Sequence, residues 1–333
     1  MMKKILKAIG YLVAIAVIAL AGFLTYIKIA LPKIAPAQVM KIEATPEMVA
    51  RGEYLAKHVC LCVDCHSERD WTKYCCPLVA GTTGQGGETF DQKFGFPGAF
   101  YSKNITPYNL AGWTDGEIYR TITTGVTKDG KALFPLMPYL NYGKMDQNDI
   151  KSLIAYIRTL PSVKKDVPDS KPDFPMNFII NTIPTEANPQ PIPAKTDKVA
   201  YGQYMINAAN CRECHTKQDK GKEVGEPFSG GFEFKMPDGS TVRSANITPD
   251  NETGIGQLTR EMFIAKFKAF ADSGYHAPIV KPGQVNTIMP WDMYGGMDTT
   301  DLGAIYTYLR TVKPVKNQVN HYSPASASPT AAL

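Results

Sequence analysis

Residues 62–66 read Cys-Val-Asp-Cys-His, and residues 211–215 read Cys-Arg-Glu-Cys-His. Each unit places two thiols about one helical turn apart and an imidazole directly after the second thiol. A redox-active Cys-x-x-Cys pair does not require that histidine. A zinc site needs a second pair of ligands, and the chain has no cysteine after residue 214 to supply one. The pattern therefore predicts a covalently attached heme at each unit, with His66 and His215 as ligands of its iron.

The same spacing predicts which side chains hold the two hemes of c type. The two thiols of each unit would form thioether bonds to the two vinyl groups of one heme. These thiols belong to Cys62, Cys65, Cys211 and Cys214.

The chain repeats itself around these units. Six short sequence stations recur in the same order, which indicates two copies of one fold. In one station, residues 102–107 read Ser-Lys-Asn-Ile-Thr-Pro and residues 244–249 read Ser-Ala-Asn-Ile-Thr-Pro. In another, residues 149–158 and 301–310 place apolar side chains at helical spacing, so each copy is predicted to end in an amphipathic helix.

Each copy also offers a methionine as the second axial ligand. Met137 and Met289 lie 71 and 74 residues after their histidines, and a proline follows each of them. Proline stiffens the loop that would direct the sulfur towards the iron. Met145 and Met297 recur as well, but they stand just before the C-terminal helices, where methionine is more often core filler. The prediction is therefore Met137 and Met289.

Further residues are candidates for supporting roles around the hemes. A ligating histidine usually donates its other ring N–H to a carbonyl group. Pro77 and Pro227 follow the two histidines by 11 and 12 residues, and their carbonyls are candidates; the alternative is that both are ordinary loop prolines. Trp113 could donate its indole N–H to a heme propionate, or could simply pack in the core.

Three of the seven cysteines lie outside the two units, at Cys60, Cys75 and Cys76. Free thiols rarely persist in an oxidising compartment, so one disulfide is expected if the chain is exported. Cys60 could pair with Cys75 or with Cys76, or the two adjacent cysteines could pair with each other. The sequence leaves this choice open.

The N-terminus contains a run of twenty uncharged, mostly apolar residues, 8–27, preceded by three lysines. This length spans a hydrocarbon core, and the lysines favour a cytoplasmic N-terminus. A cleaved signal peptide is the alternative, because residues 19–21 read Ala-Leu-Ala. The apolar run continues beyond that site, so the prediction is a single-pass anchor in the inner membrane, with the rest of the chain in the periplasm.

Composition divides the remaining chain. Residues 166–196 contain seven prolines, which favours an extended course, and the Ser-, Ala- and Pro-rich C-terminus favours disorder. A formal net charge of +5 without a basic stripe predicts no nucleic-acid partner. The predicted division is an anchor at 1–31, a first heme domain at 46–165, a linker at 166–196, a second heme domain at 197–317 and a disordered tail at 318–333.

Taken together, each copy resembles a class I cytochrome c domain: an N-terminal helix, Cys-x-x-Cys-His, a loop, an axial methionine and a C-terminal helix. The resemblance implies an all-α fold, two such domains in tandem behind one transmembrane helix. It also implies that the terminal helices cross where Gly52 meets Tyr156 and where Gly202 meets Tyr308. The run from 46 to 315 is similar to cytochrome c subunits of membrane-bound alcohol and sugar dehydrogenases. Some members of that group carry three hemes, whereas this chain has two sites.

The resemblance implies an electron carrier and no substrate chemistry. Electrons would enter from a dehydrogenase or a quinol-oxidising complex and leave to a terminal oxidase or reductase. The alternative is a diheme cytochrome c peroxidase, which needs one heme with an open distal side. Both copies carry a Met-Pro pair and the chain has only five histidines, which favours the carrier.

Overall fold

The computed structural model describes residues 1–271, 274–281 and 283–325. It begins with a long helix, α1 (Met2–Ala30), and an extended stretch that reaches the first repeat. A π-helical turn, Leu55–Val59, continues the second helix towards the first Cys-x-x-Cys-His unit. The other α-helices of the described residues are α2 (Pro46–Tyr54), α3 (Cys62–Cys65), α4 (Pro107–Leu110), α5 (Asp115–Thr124), α6 (Tyr139–Tyr142), α7 (Gln147–Thr159), α8 (Met176–Ile179), α9 (Lys198–Ala208), α10 (Cys211–His215), α11 (Arg260–Lys268), α12 (Trp291–Gly295) and α13 (Thr299–Leu309).

Small antiparallel sheets accompany the helices, so the predicted all-α class is only partly right. The strands are β1 (Thr89–Phe90), β2 (Gly98–Tyr101), β3 (Lys171–Pro172), β4 (Gln218–Asp219), β5 (Lys222–Glu223), β6 (Glu233–Lys235), β7 (Thr241–Arg243) and β8 (Tyr322–Ser323). They form a β1-β2-β3 sheet, a β4-β5 hairpin and a β6-β7-β8 sheet. Strands of two to four residues are too short to show the alternation by which a sequence reveals a strand.

Part of the expected C-terminal tail belongs to a sheet. Val242 of β7 pairs with Tyr322 of β8, and Val319 is buried. The prediction of disorder is therefore wrong for this part, because the outer edge of β7 is covered by a chain segment that follows the last helix. Residues 326–333 of the expected tail lie outside the described residues.

Capping residues form hydrogen bonds or take special backbone conformations at the ends of the helices. At α5, Thr114 accepts a hydrogen bond from Glu117 N while the Glu117 carboxylate accepts one from Thr114 N, and Gly125 ends the helix in the left-handed conformation. At α7, Asp146 accepts from Asn148 N at 2.7 Å. These caps satisfy N–H groups that the first turn of a helix leaves free.

The first and last helices of each repeat cross in close contact. A Cβ atom at Gly52 would collide with the carbonyl oxygen of Ser152 and lie 2.8 Å from Tyr156 Cβ. Gly202 makes the same approach to α13, where its Cβ would lie 3.0 Å from Tyr308 Cβ. Only glycine permits this backbone contact. The crossing of α2 with α7 and of α9 with α13 agrees with the prediction.

The two repeats meet through a reciprocal pair of hydrogen bonds. Tyr204 of α9 donates to Asp149 Oδ2 of α7 at 2.6 Å, and Tyr54 of α2 donates to Asp301 Oδ2 of α13 at 2.7 Å. The two tyrosines occupy equivalent positions in the repeats, as do the two buried aspartates. Arg51 adds a bidentate pair to Asp149 at 2.9 and 2.8 Å. The contact therefore has approximate two-fold symmetry.

A second reciprocal pair brings the Cys-x-x-Cys-His ends of the repeats together. His58 Nδ1 lies 2.9 Å from the Met293 carbonyl oxygen, and Asn207 Nδ2 donates to the Asn141 carbonyl oxygen at 2.9 Å. His58 and Asn207 both stand four residues before the first cysteine of their unit. The interface thus orients both units with respect to each other.

Helix α1 extends away from the rest of the described fold and contacts it near its C-terminal end. Among the described residues it is the one helix with the length and apolar composition to cross a membrane, with a mean hydropathy of 2.3 over its best window. Most of its side chains are exposed, and Ile27 near its C-terminal end is its one buried residue.

Candidate functional site

Both Cys-x-x-Cys-His units begin directly after a residue in the left-handed region. Leu61 precedes α3 and Asn210 precedes α10, each with φ of 54°. Residues other than glycine rarely adopt this conformation. Its recurrence at equivalent positions shows that one backbone turn introduces both units and presents their thiols on a single turn of helix.

The two histidines are oriented by backbone carbonyl groups. His66 Nδ1 lies 2.6 Å from the Lys103 carbonyl oxygen, and His215 Nδ1 lies 2.7 Å from that of Ala245. Burial lowers the pKa of each imidazole, and the bond to the carbonyl opposes that shift. A neutral imidazole that donates from Nδ1 keeps the lone pair of Nε2 for an iron atom.

These acceptors correct the predicted ones. The carbonyl groups of Pro77 and Pro227 do not receive the histidine bonds; Pro77 O instead accepts from Asp70 N at 2.9 Å. Counting residues from the histidine directed the prediction to the nearest proline, whereas the real acceptors follow β2 and β7, much further along the chain. Tertiary contact, rather than proximity in sequence, selects them.

The recurring Asn-Ile-Thr-Pro station holds each acceptor carbonyl in place. Asn104 Oδ1 accepts from the N–H and hydroxyl of Thr106 at 2.9 and 2.7 Å, and its amide donates to the Val163 carbonyl at 2.9 Å. Asn246 makes the equivalent contacts with Thr248 at 3.0 and 2.8 Å. The asparagine thus fixes the residue just before it, which carries the acceptor. Sequence reasoning found this repeat but not its role.

A glycine lets each acceptor strand approach its histidine. Gly86 and Gly230, with φ of 69° and 76°, each donate from N–H to the histidine carbonyl oxygen of their own unit at 2.8 Å. A Cβ atom on either would lie 2.5 Å from the carbonyl carbon of the acceptor residue. Both the positive φ and the close approach therefore require glycine.

The donor set of each unit fits a covalently bound heme. All seven cysteines, each within the described residues, carry free thiols. Burial raises the pKa of Cys62, Cys65 and Cys211 to about 12 and that of Cys214 to about 11, so these thiols are protonated at neutral pH. Among the described residues, no group of three or more His, Cys, Asp or Glu side chains could hold a metal ion. What remains is two thiols and one free imidazole nitrogen at each unit, the set that a c heme uses.

Met137 and Met289 have the same backbone setting. The carbonyl oxygen of each accepts a hydrogen bond from the N–H two residues later at 2.8 Å. Pro138 and Pro290 lie at the centre of these bonds with φ of −81° and ψ of 51° and 69°, which is an inverse γ-turn. Both sulfur atoms belong to half-buried side chains that pack on the core.

The competing methionines lie in the hydrophobic core. Met145 and Met297 are 0% and 1% exposed. Met145 Sδ lies 4.0 Å from Cys60 Sγ. Both side chains therefore lie in the core, and the assignment of Met137 and Met289 in preference to them stays a prediction.

Trp113 is partly buried against the core of the first repeat. Lys128 Nζ lies 5.4 Å from the centre of the Trp113 ring. The carbonyl oxygen of Trp113 accepts a hydrogen bond from Arg158 Nη2 at 2.5 Å. The predicted contact of its indole N–H with a propionate remains a prediction.

The three additional cysteines lie in two different places. Cys60 is buried beside Met145. Cys75 N donates to Asn286 Oδ1 at 3.1 Å, and Cys76 Sγ lies 3.8 Å from the Thr287 carbonyl oxygen. None of the three forms a disulfide in the described chain.

A chain of hydrogen bonds joins the approaches to the two units. Tyr142 donates to the Cys60 carbonyl at 2.7 Å and accepts from Asn210 Nδ2 at 3.3 Å. Asn210 is the residue directly before Cys211. Tyr294 repeats the first bond by donating to the Ala209 carbonyl at 2.7 Å. The two sites are therefore held on one continuous polar framework.

Comparison with known proteins points to the same chemistry. Over 306 residues the chain is 26% identical to the cytochrome c subunit of alcohol dehydrogenase (quinone) from Gluconacetobacter polyoxogenes. The matched region covers 86% of this chain. Over 294 residues it is 28% identical to the fructose dehydrogenase cytochrome subunit of Gluconobacter japonicus, which covers 83% of this chain. Its homologues are cytochrome c subunits.

The similarity has clear limits in length. This chain covers 61% of the alcohol dehydrogenase subunit and 55% of the fructose dehydrogenase subunit. A diheme cytochrome c-type protein of Cereibacter sphaeroides is 24% identical over 225 residues, which are 59% of this chain and 73% of that protein. No family model matches the chain. The cytochrome c relationship thus covers most of this chain, whereas the longer relatives contain additional sequence.

Proposed function

We propose that the chain transfers electrons through two covalently bound c hemes and performs no substrate chemistry. A bound c heme would carry one electron at a time by cycling its iron between the ferric and ferrous states. The observation that carries the proposal is the histidine geometry found twice, with Nδ1 on a backbone carbonyl and Nε2 free. The names of the relatives, which are cytochrome subunits of dehydrogenases, support it.

The residues assigned to the hemes follow from this geometry and from the sequence repeat. His66 and His215 would bind the irons from one side. Met137 and Met289 would bind from the other, because both occupy the same turn in a half-buried position. Thioether bonds would form at Cys62, Cys65, Cys211 and Cys214. A sulfur ligand opposite histidine raises the reduction potential, which suits a carrier.

The proposed partners are redox proteins. A dehydrogenase or a quinol-oxidising complex would reduce the chain, and a terminal oxidase or reductase would oxidise it. The similarity to cytochrome subunits of alcohol and fructose dehydrogenases favours a dehydrogenase as donor. Extraction of membranes with mild detergent, followed by identification of the proteins that co-purify, distinguishes a permanent subunit from a free carrier.

The proposed location is the inner membrane, with α1 as a single-pass anchor and both heme domains in the periplasm. The lysines before the apolar run support this orientation, and attachment of c hemes requires export. The proposed domains span 46–165 and 197–317, joined by 166–196. A mass measurement of the protein purified from membranes tests whether the residues of α1 are retained.

Heme counting tests the central proposal. The denatured protein should keep its colour after acid–organic extraction, and its mass should exceed that of the polypeptide by two hemes. A variant with Cys211→Ala and Cys214→Ala should carry one heme, and Cys60→Ala should carry two. Complete loss of colour from the unmodified protein on extraction would disprove covalent attachment.

A further inference from the structure

The proline-rich stretch between the repeats contains an apolar segment with exposed side chains. The ten residues 174–183 include no charged side chain. Phe174 is 76% exposed and Ile179 is 43% exposed. Large apolar side chains that cluster on a surface usually mark contact with a partner or a membrane.

This segment packs against the end of α1. Helix α8 lies beside the last turns of α1, where Ile27 is only 7% exposed. Lys28 Nζ lies 5.1 Å from the centre of the Phe178 ring. Phe174 in turn meets Phe178 edge to face, with 6.2 Å between the ring centres. The exposed side chains are thus continuous with the surface of the helix.

The length of α1 places this contact at the edge of a bilayer. Twenty residues of helix, such as 8–27, extend about 30 Å, which equals the thickness of the hydrocarbon core. Lys28 then lies at the boundary with the headgroups, where a lysine can extend its ammonium group into water. The segment that touches Lys28 lies at the same depth.

Hydrogen bonds attach the chain on both sides of the segment to its surroundings. Ala35 N, just beyond α1, donates to Glu186 Oε1 at 2.7 Å. At the other end of the segment, Asp173 Oδ2 accepts from Gln92 Nε2 at 2.8 Å. Since both flanks are attached to the first repeat or to the anchor exit, the segment has a defined position relative to the membrane.

We propose that residues 174–183 form a second membrane contact, which inserts Phe174 and Ile179 among the lipid headgroups beside the anchor. This inference rests on the proposed anchoring role of α1. The ligand is a phospholipid surface, because the exposed side chains are apolar and adjoin the membrane-spanning helix. Lys28 and the exposed Lys33 would add attraction to anionic headgroups. The contact would fix the orientation of the hemes above the membrane.

Photo-crosslinking in the full-length, heme-loaded protein tests this contact. Benzoyl-phenylalanine is placed at position 174 or 179, and the protein is incorporated into vesicles of phosphatidylethanolamine and phosphatidylglycerol. Position 15, in the middle of α1, reports on the anchor itself, since Ile15 is 62% exposed in the structure. Position 262 is the matched control, because Met262 is an exposed apolar residue on α11, at 50% exposure.

Mass spectrometry of the irradiated protein should show lipid adducts at positions 15, 174 and 179 and none at position 262. Adducts at 15 but not at 174 and 179 would overturn the inference and leave the anchor intact. Absence of adducts at position 15 as well would overturn both. Crosslinks from position 174 or 179 to a second protein molecule, in vesicles or in native membranes, would show that the surface binds another subunit. They would also refute the lipid contact.

Discussion

The Nδ1 atom of His66 lies 2.6 Å from the carbonyl oxygen of Lys103, and the next residue, Asn104, is held by side-chain hydrogen bonds to Thr106 and the Val163 carbonyl. A hydrogen bond of this kind increases the electron donation of a ligating imidazole. The geometry therefore connects a backbone position 37 residues away to the properties of the proposed heme.

Replacement of Asn104 by alanine should raise the reduction potential of the first heme. The variant loses the bonds that hold the Lys103 carbonyl, so the imidazole donates less to ferric iron. Loss of about 1 kcal/mol of hydrogen-bond energy corresponds to a rise of up to about 40 mV for a one-electron couple. Spectroelectrochemical titration measures it. Asn246→Ala is the matched control and should shift the second heme alone; unchanged potentials in both variants would contradict the role of the station.

Loss of the proposed sulfur ligands should change the ferric spectrum one heme at a time. Met137→Ala and Met289→Ala should each remove half of the absorption band characteristic of methionine–iron ligation, and the double variant should lack it. The controls are Met145→Leu and Met297→Leu, volume-conserving core changes that cost less than about 1.5 kcal/mol and should keep the band. A full band in the double variant would refute the assignment.

Alanine at Gly86 should destabilise the fold more than alanine at Gly81. Both positions have a positive φ, which costs a non-glycine residue about 1–2 kcal/mol. At Gly86 the added methyl group would also meet the Lys103 carbonyl carbon at 2.5 Å, whereas nothing lies within 4 Å at Gly81. Overpacking should add about 1–3 kcal/mol. Urea unfolding of both variants measures the difference. Equal free energies of unfolding would show that the Lys103 backbone can move away from the added methyl group without loss of stability.

Removal of one tyrosine hydroxyl at the interface between the repeats should weaken the protein. Tyr204→Phe leaves Asp149 without one of its donors, at an expected cost of about 1–3 kcal/mol in the free energy of unfolding. Tyr54→Phe should act similarly on Asp301. Tyr108→Phe is the control, because this exposed hydroxyl donates to Asp166 at the surface, and should change stability by less than about 0.5 kcal/mol. Equal midpoints of the unfolding transition for all three variants would refute the predicted contribution of these interface hydrogen bonds to stability.

The same tyrosines should make stability depend on alkaline pH. Burial, followed by the neighbouring carboxylates, raises the pKa of Tyr54 and Tyr204 above its usual range. Because the unfolded chain loses these protons first, their contribution is complete below about pH 10 and declines as the pH rises further. Urea unfolding at several alkaline pH values should show this decline, and Tyr204→Phe should make it shallower. A decline of the same steepness in that variant would exclude Tyr204 as a source.

Much of this architecture was predictable because it depends on local spacing. The positions of Gly52 and Tyr156 follow from the repeat, and the structure brings them into contact as expected. The amphipathic pattern of residues 149–158 predicts α7 well, because its apolar side chains lie on one face.

What the sequence did not reveal depends on contacts between distant segments. Pro77 seemed a suitable acceptor from its distance along the chain, but the acceptor Lys103 reaches His66 only because β2 and Gly86 bring it there. The left-handed residue Leu61 carries no signal of its own, since leucine does not favour that conformation. The repeat marks Asn104 and Asn246, but the acceptor residue before each asparagine differs between the copies and carries no signal of its own.

The reciprocal bonds of Tyr54 and Tyr204 also bear on the origin of the chain. An interface in which each copy offers the other the same pair of groups is self-complementary, as in a homodimer with a two-fold axis. A single repeat would therefore carry both halves of a dimer contact. Joining two repeats in one polypeptide raises their effective concentration to the millimolar range, so that a contact too weak to pair separate chains suffices within one.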